Sequence, residues 1–520
     1  MFALVLHSHL PWLANHGRWP VGEEWLYQSW AASYLPVFGV MRRLAAEGRA
    51  NQLTLGMTPV LAAQLDDPHC LAGMHHWLGN WQLRAHEAAL MPDKDRRELG
   101  RREHRASAAA LDDFERRWQH GASPLLRELV DADTIELLGG PLAHPFQPLL
   151  DPRLRQFSLA EGLADTTQRL GHTPSGIWAP ECGYAPGMER DYDAAGVRHF
   201  MVDGPSLHGD TALGRPVRDA DVVAFGRDLQ VSYRVWSPKS GYPGHGAYRD
   251  FHTYDHGTGL KPSRVTGRSV APQDKAPYDP DLAAAAVRRD VADFVTTVRT
   301  RLSDESERIG RPALVVAAFD TELYGHWWHE GPQWLEQVLR ALPEAGVTVG
   351  TLQQARTEGY VGEPVPLAAS SWGSGKDWRV WAGEQVSDLV ALNEEVVRTA
   401  LDTLDKAQAQ QDSLGLRDRA LDQIVREAIL AVSSDWAFMV SKDSAAGYAR
   451  DRAHLHAHAV RELAEAVSSG HWERARALAA GWHAADGLFP QLDARRMPAQ
   501  SSVALADATA GAMTKTPGAQ

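Results

Sequence analysis

Short apolar runs that stop abruptly at polar or ionisable residues recur along this chain, and no other feature narrows the fold as much. Phe2 to Leu6 leads into His7-Ser8-His9, and Thr134 to Leu138 leads into Gly139-Gly140 and then His144. Ile177-Trp178 leads into Glu181, and Ala313 to Phe319 leads into Asp320. Such runs read as strands buried on both faces, and helical stretches such as Asp281 to Leu302 lie between them. The predicted class is therefore α/β, either a β/α barrel or a layered domain, with its chemistry gathered at the carboxyl ends of the strands.

The rest of the 520 residues divides by texture. Asp93 to Val130 is charged, Ala-rich and helix-prone, with a break at Gly121-Ala122-Ser123-Pro124, so a helical insertion is expected around residues 65–130. Residues 257–280 are dense in Gly, Pro, Ser, Lys and Arg and read as a long loop. After Trp381 the stretches Glu384 to Gln411, Leu416 to Ser433, Ala445 to Ser468 and His471 to Ala485 all favour helix. These features predict a catalytic domain over residues 1–365, an all-α domain over 366–495 that contributes to the active-site cleft, and a tail over 496–520 without fixed structure. No repeat of fixed period is present.

A net charge of -13 argues against nucleic acid or an anionic membrane as the main partner, since both select basic surfaces. Two cysteines, Cys70 and Cys182, are too few for a disulfide framework, and the apolar start is too short for a signal segment. A soluble, cytoplasmic protein is expected.

Tryptophan is unusually frequent, at 18 residues against 12 Tyr and 12 Phe. A single Trp is usually core material, but Trp327 with Trp328, and Trp372, Trp378 and Trp381, are spaced too closely for all to point into one core. In GIWAPECGY the carboxylate of Glu181 stands between Trp178 and Tyr184. Aromatic faces stack on the apolar face of a pyranose, and a glutamate fixed beside them can attack or protonate at the anomeric carbon. The alternative is a solvated Glu at a strand end.

The second carboxyl comes from FDTELYGHWWHEG, which holds Asp320, Glu322, His326, His329 and Glu330. Asp320 is selected because it stands at the strand end, with Glu322 and Glu330 expected behind it or in the loop. Retaining glycoside chemistry needs two carboxyls about 5 to 5.5 Å apart, which two strands of one barrel can supply. A rival reading takes His7 and His9, an i, i+2 pair at a strand end, as the seed of a zinc or iron site completed by His144, Asp320 and His326. A glucan-binding module without activity is the third. Lone histidines such as His172 and His199 are expected to be structural.

Five ordered motifs now bear on the choice: HSHLP, IELLGGPLAHPFQPLL, GIWAPECGY, FDTELYGHWWHEG and SSWGSGKDWRVW. Together they resemble glycoside hydrolase family 57, and SSDWAFM from Ser433 to Met439 is similar to a segment of its 1,4-α-glucan branching members. The resemblance implies a retaining (β/α)7 barrel with Glu181 as nucleophile and Asp320 as acid/base, and no metal or organic cofactor. It also implies that His7, His9 and His144 line the subsite of the attacked glucose, beside Trp178. By the same resemblance Trp372 and Trp381 are aromatic platforms, and Arg249, Gly259, Asp435 and Trp436 contact sugar. The implied partner is an α-1,4-glucan such as amylose or glycogen, and the implied product carries α-1,6 branches, with hydrolysis or 4-α-glucan transfer as alternatives.

Two departures from the family pattern stand out. Ser444, in KDSA, replaces a longer glutamine donor, which predicts a weaker or rearranged acceptor contact. The stretch Asp203 to Gln230, expected to carry a mobile active-site loop with a tyrosine, has none and looks short, which weighs toward hydrolysis.

Overall fold

The computed structural model describes residues 1–237, 239–410 and 416–500. The chain forms two compact units: Met1–Gly139 with Arg169–Trp178 and Val197–Leu367, and Gly140–Gln168 with Ala179–Gly196 and Ala368–Gln520. The division is therefore not the contiguous one expected, since two early segments join the C-terminal helices and one of them carries Glu181.

The first unit is built on seven parallel strands: β1 (Phe2–Ser8), β2 (Leu53–Met57), β3 (Ile135–Leu138), β4 (Gly176–Ile177), β5 (His199–Asp203), β6 (Val223–Arg227) and β7 (Val315–Asp320). β1 lies between β2 and β7, and β3 extends the sheet beyond β2. β4, β5 and β6 form a second parallel ladder. Two seams join the ladders into a ring. Gly139 bridges Ile177 in parallel at one, and the Asp228 amide donates to the Val316 carbonyl at 2.8 Å at the other. This is the (β/α)7 arrangement.

Four of these strands are the apolar runs recognised in the sequence, whereas β2, β5 and β6 were not recognised. In β2 and β5 polar residues break the apolar character, and those residues are satisfied from another strand. On β5, His199 is fully buried and its Nε2 meets Glu136 Oε1 of β3 at 2.5 Å, while Thr54 of β2 donates to Glu136 Oε2 at 2.9 Å. His199 is thus structural, as expected, and exposed His172 pairs with Asp131 at 2.7 Å.

The helical insertion consists of Pro59–Asp66, Pro68–Ala89, Lys94–Arg117 and Ser123–Asp131. Asp67 and Asp93 cap the two long helices by accepting from backbone amides. The break between the last two is enforced at Gly121, with φ +86°, where a Cβ would stand 2.2 Å from an Asp66 carboxylate oxygen. Residues 257–280 form the expected loop, pinned by isolated bridges from Arg249 to Arg264 and from Ser263 to Pro277.

The stretch Asp203 to Gln230 proves to be mostly ordered elements rather than one loop. It holds β6, a short strand Arg215–Pro216 antiparallel to it, and the turn Gly204–Leu207. The expected pair Trp327 and Trp328 also divides: Trp327 is 39% exposed, whereas Trp328 is buried against Tyr324 and Trp334.

The second unit is helical, with Ser387–Gln410, Arg419–Ala431, Ser434–Ser441, Ala446–Ser468 and Trp472–Ala485 as its main elements. A buried polar chain organises its interior. Gln423 donates to Glu427 at 2.7 Å, Glu427 meets His456 Nδ1 at 2.7 Å, and Arg452 reaches His456 Nε2 at 3.0 Å. Burial and the nearby Asp486 push the Glu427 carboxyl well above the usual carboxylate range. Arg452 also lies over the Trp436 ring at 5.1 Å, so the chain ends on the helix that begins at Ser434. The segment expected to lack fixed structure from residue 496 is ordered at its start: Met497 is buried and Arg496 pairs with Glu161 at 3.0 Å. Residues 501–520 lie outside the described residues.

Candidate active site

In the barrel unit the register of β1 and β7 sets His7 directly beside Asp320 at the carboxyl ends of both strands. Trp178, one residue past β4, stacks on His7 with ring centroids 4.3 Å apart and an interplanar angle of 10°. His9 is partly exposed and its Nδ1 lies 3.1 Å from Thr58 Oγ1. These residues converge as expected.

Glu322, expected behind Asp320, is fully enclosed there. It accepts from the His9 amide at 3.2 Å and from the Tyr34 hydroxyl. Burial raises its carboxyl to about 7, although the bond from Tyr34 opposes that shift. Glu330 is also buried and accepts from the Arg249 amide at 3.2 Å. The Arg249 guanidinium is largely committed within the protein, donating to Glu103 at 2.7 Å and to the Lys261 carbonyl at 2.8 Å. Gly259 holds φ +68°, and a Cβ there would stand 2.6 Å from Arg84.

The helical unit carries Glu181 on a turn, Pro180–Cys182, in which Glu181 itself adopts φ 61° and ψ 18°. A left-handed conformation costs a residue with a Cβ about 1 to 2 kcal/mol, so neighbouring contacts must hold it. They do so from both sides. Tyr184 pairs antiparallel with Ser370, and the Trp372 amide donates to the Glu181 carbonyl at 2.8 Å. Gly183 follows because a Cβ there would come 2.7 Å from the Phe146 ring.

Each carboxylate oxygen of Glu181 receives one donor. Trp372 Nε1 donates to Oε2 at 2.8 Å, and Ser434 Oγ donates to Oε1 at 2.8 Å. The Ser434 oxygen lies 2.9 Å from His144 Nδ1, so a relay His144 to Ser434 to Glu181 forms when that nitrogen carries its proton. Two donors favour the ionised carboxylate and fix its plane. Ser434 was missed in the sequence, where the segment drew notice for Asp435 and Trp436.

The other predicted contacts in this unit differ in exposure. Asp435 is partly exposed and accepts from Ser433 at 2.6 Å. Trp381 is buried with its face on Phe146, centroids 4.4 Å apart, so it packs beneath the surface instead of offering an open platform. Trp436 is likewise buried, its indole N–H on the Leu430 carbonyl at 2.9 Å. Ser444 is exposed in the turn after the Ser434 helix.

Cys70 and Cys182 are both buried, with no disulfide between them. Among the described residues no helix is long and apolar enough to cross a membrane.

Comparison with known proteins places the chain in a family. The family model "Glycosyl hydrolase family 57" matches residues 3–360, and "1,4-alpha-glucan branching enzyme, C-terminal" matches residues 394–497. A protein of Mycobacterium tuberculosis described as a probable 1,4-α-glucan branching enzyme is 68% identical over 515 residues, spanning 96% of this chain and 98% of the relative. A 1,4-α-glucan branching enzyme of Thermococcus kodakarensis is 30% identical, covering 88% of this chain and 72% of its own length. The solved branching enzyme of Pyrococcus horikoshii superposes with a TM-score of 0.88 at 27% identity, covering 96% of this chain and 97% of that one. With the model match extending over more than half its length, this chain belongs to glycoside hydrolase family 57.

Proposed function

We propose that this chain is a retaining 1,4-α-glucan branching enzyme acting on amylose, glycogen or a related α-glucan. Glu181 attacks the anomeric carbon, forming an ester bond to the sugar as the α-1,4 bond breaks, while Asp320 gives its proton to the departing 4-oxygen. Asp320 then takes the proton of an acceptor 6-hydroxyl, whose oxygen displaces Glu181 and leaves an α-1,6 link. Two carboxyls suffice for these steps, and their side chains must reach the same bond for the mechanism to operate.

The observation that carries this reading is the Glu181 carboxylate, held on a left-handed turn with one donor on each oxygen. Orientation of that kind suits a nucleophile, which must meet one carbon along one line. His7 and Trp178, stacked on each other and buried beside Asp320, back the position of the attacked glucose. Glycogen-type polysaccharide synthesis in a reducing cytoplasm is the setting that the chemistry and the two buried cysteines, not joined by a disulfide, support.

Incubation with amylose, followed by debranching and chain-length analysis beside a reducing-end assay, tests the activity. New α-1,6 links without matching reducing ends are expected. Reducing ends alone would replace transfer with hydrolysis, the outcome favoured by the exposed Ser444 and the tyrosine-free connection between β5 and β6. Metal analysis with a chelator tests the His7 and His9 alternative, and turnover that tracks stoichiometric zinc would establish it.

A further inference from the structure

A cavity of about 1220 Å³ opens in the barrel unit, larger than the roughly 300–1,000 Å³ that encloses a typical small ligand. The loop Gly325–Trp327 that follows Asp320 and the insertion helix Pro68–Ala89 both line it. On that helix Trp77 and Trp81, one turn apart, turn half-buried rings into the space, with centroids 6.0 Å apart. Their edges are fixed: Trp77 Nε1 donates to Glu24 at 3.0 Å and Trp81 Nε1 to Glu103 at 3.0 Å. In the same lining Tyr254 and Trp327 are each 39% exposed.

The charges of the lining describe the ligand. Acidic and basic groups balance in the lining, where Arg42 pairs with Asp113, Arg43 with Glu336 and Arg249 with Glu103, while His326 and His329 are held neutral, their pKa values lowered to about 3 chiefly by burial. Lys261 rests on the Phe251 face at 4.0 Å, which covers its charge. What fits is a neutral chain with apolar faces and hydroxyl edges, long enough to span two neighbouring rings tilted by 49°. An α-glucan has that chemistry.

We infer that Trp77 and Trp81 form a platform for the acceptor glucan, placing its chain on the side of Asp320 from which the 6-hydroxyl approaches. The inference rests on Asp320 as the acid/base, because that residue serves first the leaving chain and then the acceptor. A chain held there keeps a hydroxyl at hand for the glycosyl-enzyme and competes with water for it.

Trp77→Ala and Trp77→Phe are the tests, since Trp77 stands clear of the Glu103–Arg249 pair. Trp77→Ala is expected to raise the amylose KM about tenfold and to increase the hydrolysed share of turnovers, with Trp77→Phe recovering most of both because a ring remains to stack. Maltoheptaose binding to Glu181→Gln, measured by calorimetry with and without Trp77→Ala, reads the platform apart from the chemistry, and about a tenfold loss is expected. Unchanged binding and KM in folded Trp77→Ala would overturn the platform. Equal losses in Ala and Phe would do the same by assigning the indole to structure through Glu24. Persistent activity of Glu181→Gln would instead sink the nucleophile assignment and leave the binding result standing.

Discussion

The two proposed catalytic carboxyls are held by opposite means. Asp320 ends a regular strand, and its place follows from the β1–β7 register that also sets His7. Glu181 stands on a left-handed turn that no ladder dictates, clamped by Trp372 through backbone and indole and by Ser434 through its hydroxyl. The contrast suits the roles. A nucleophile is most useful when its charge and direction are fixed, and an acid/base at a strand end is placed by the sheet itself while it gains and loses a proton at each turnover.

Removing the nucleophile breaks the comparison most severely. Glu181→Gln should lower branching by about 10⁴-fold or more without loss of the folded state, measured as initial rate on amylose beside thermal unfolding. Weakening the clamp comes next. Ser434→Ala deletes a charge-assisted donor, so kcat should fall by about 10- to 100-fold and the acidic limb of the kcat/KM profile should move to higher pH. Ser434→Thr should restore much of both, and a fall in kcat with an unmoved profile would reduce Ser434 to packing.

Glu322 tests the Asp320 side through stability. Its folded pKa of about 7 exceeds the ordinary value of 4.5, so the folded state binds the extra proton. The contribution is full below about pH 4.5 and lost as pH rises through 7, amounting to about 3 kcal/mol. Glu322→Gln, permanently neutral, should flatten the decline in unfolding free energy between pH 5 and 7.5, and an equally steep decline would show that Glu322 is not its source. The smallest effect concerns the acceptor. Ser444→Gln should raise the ratio of transfer to hydrolysis by up to about threefold, a free-energy change below 1 kcal/mol.

Legibility in the sequence followed the same contrast. Asp320 could be chosen because seven apolar residues lead straight into it and a strand end is a local property. β2 and β5 escaped notice because Thr54 and His199 are polar until Glu136 of another strand satisfies them. Ser434 escaped because its significance is a single contact with a carboxylate 253 positions earlier. The interleaved units were hidden for the same reason, since no composition change marks Ala179–Gly196 as belonging with the last third of the chain.

That separation of 253 residues also sets an order of events during biosynthesis. At roughly 5–20 residues per second, a ribosome delivers Ser434 roughly 13 to 50 seconds after Glu181. Throughout that interval the Glu181 turn and the helix Pro152–Leu170 await the later segments that complete their unit. The nascent enzyme is inactive until nearly all of it has been made, and a transcript cut short after the barrel strands yields a chain that holds both carboxyls yet has no means of aiming one of them.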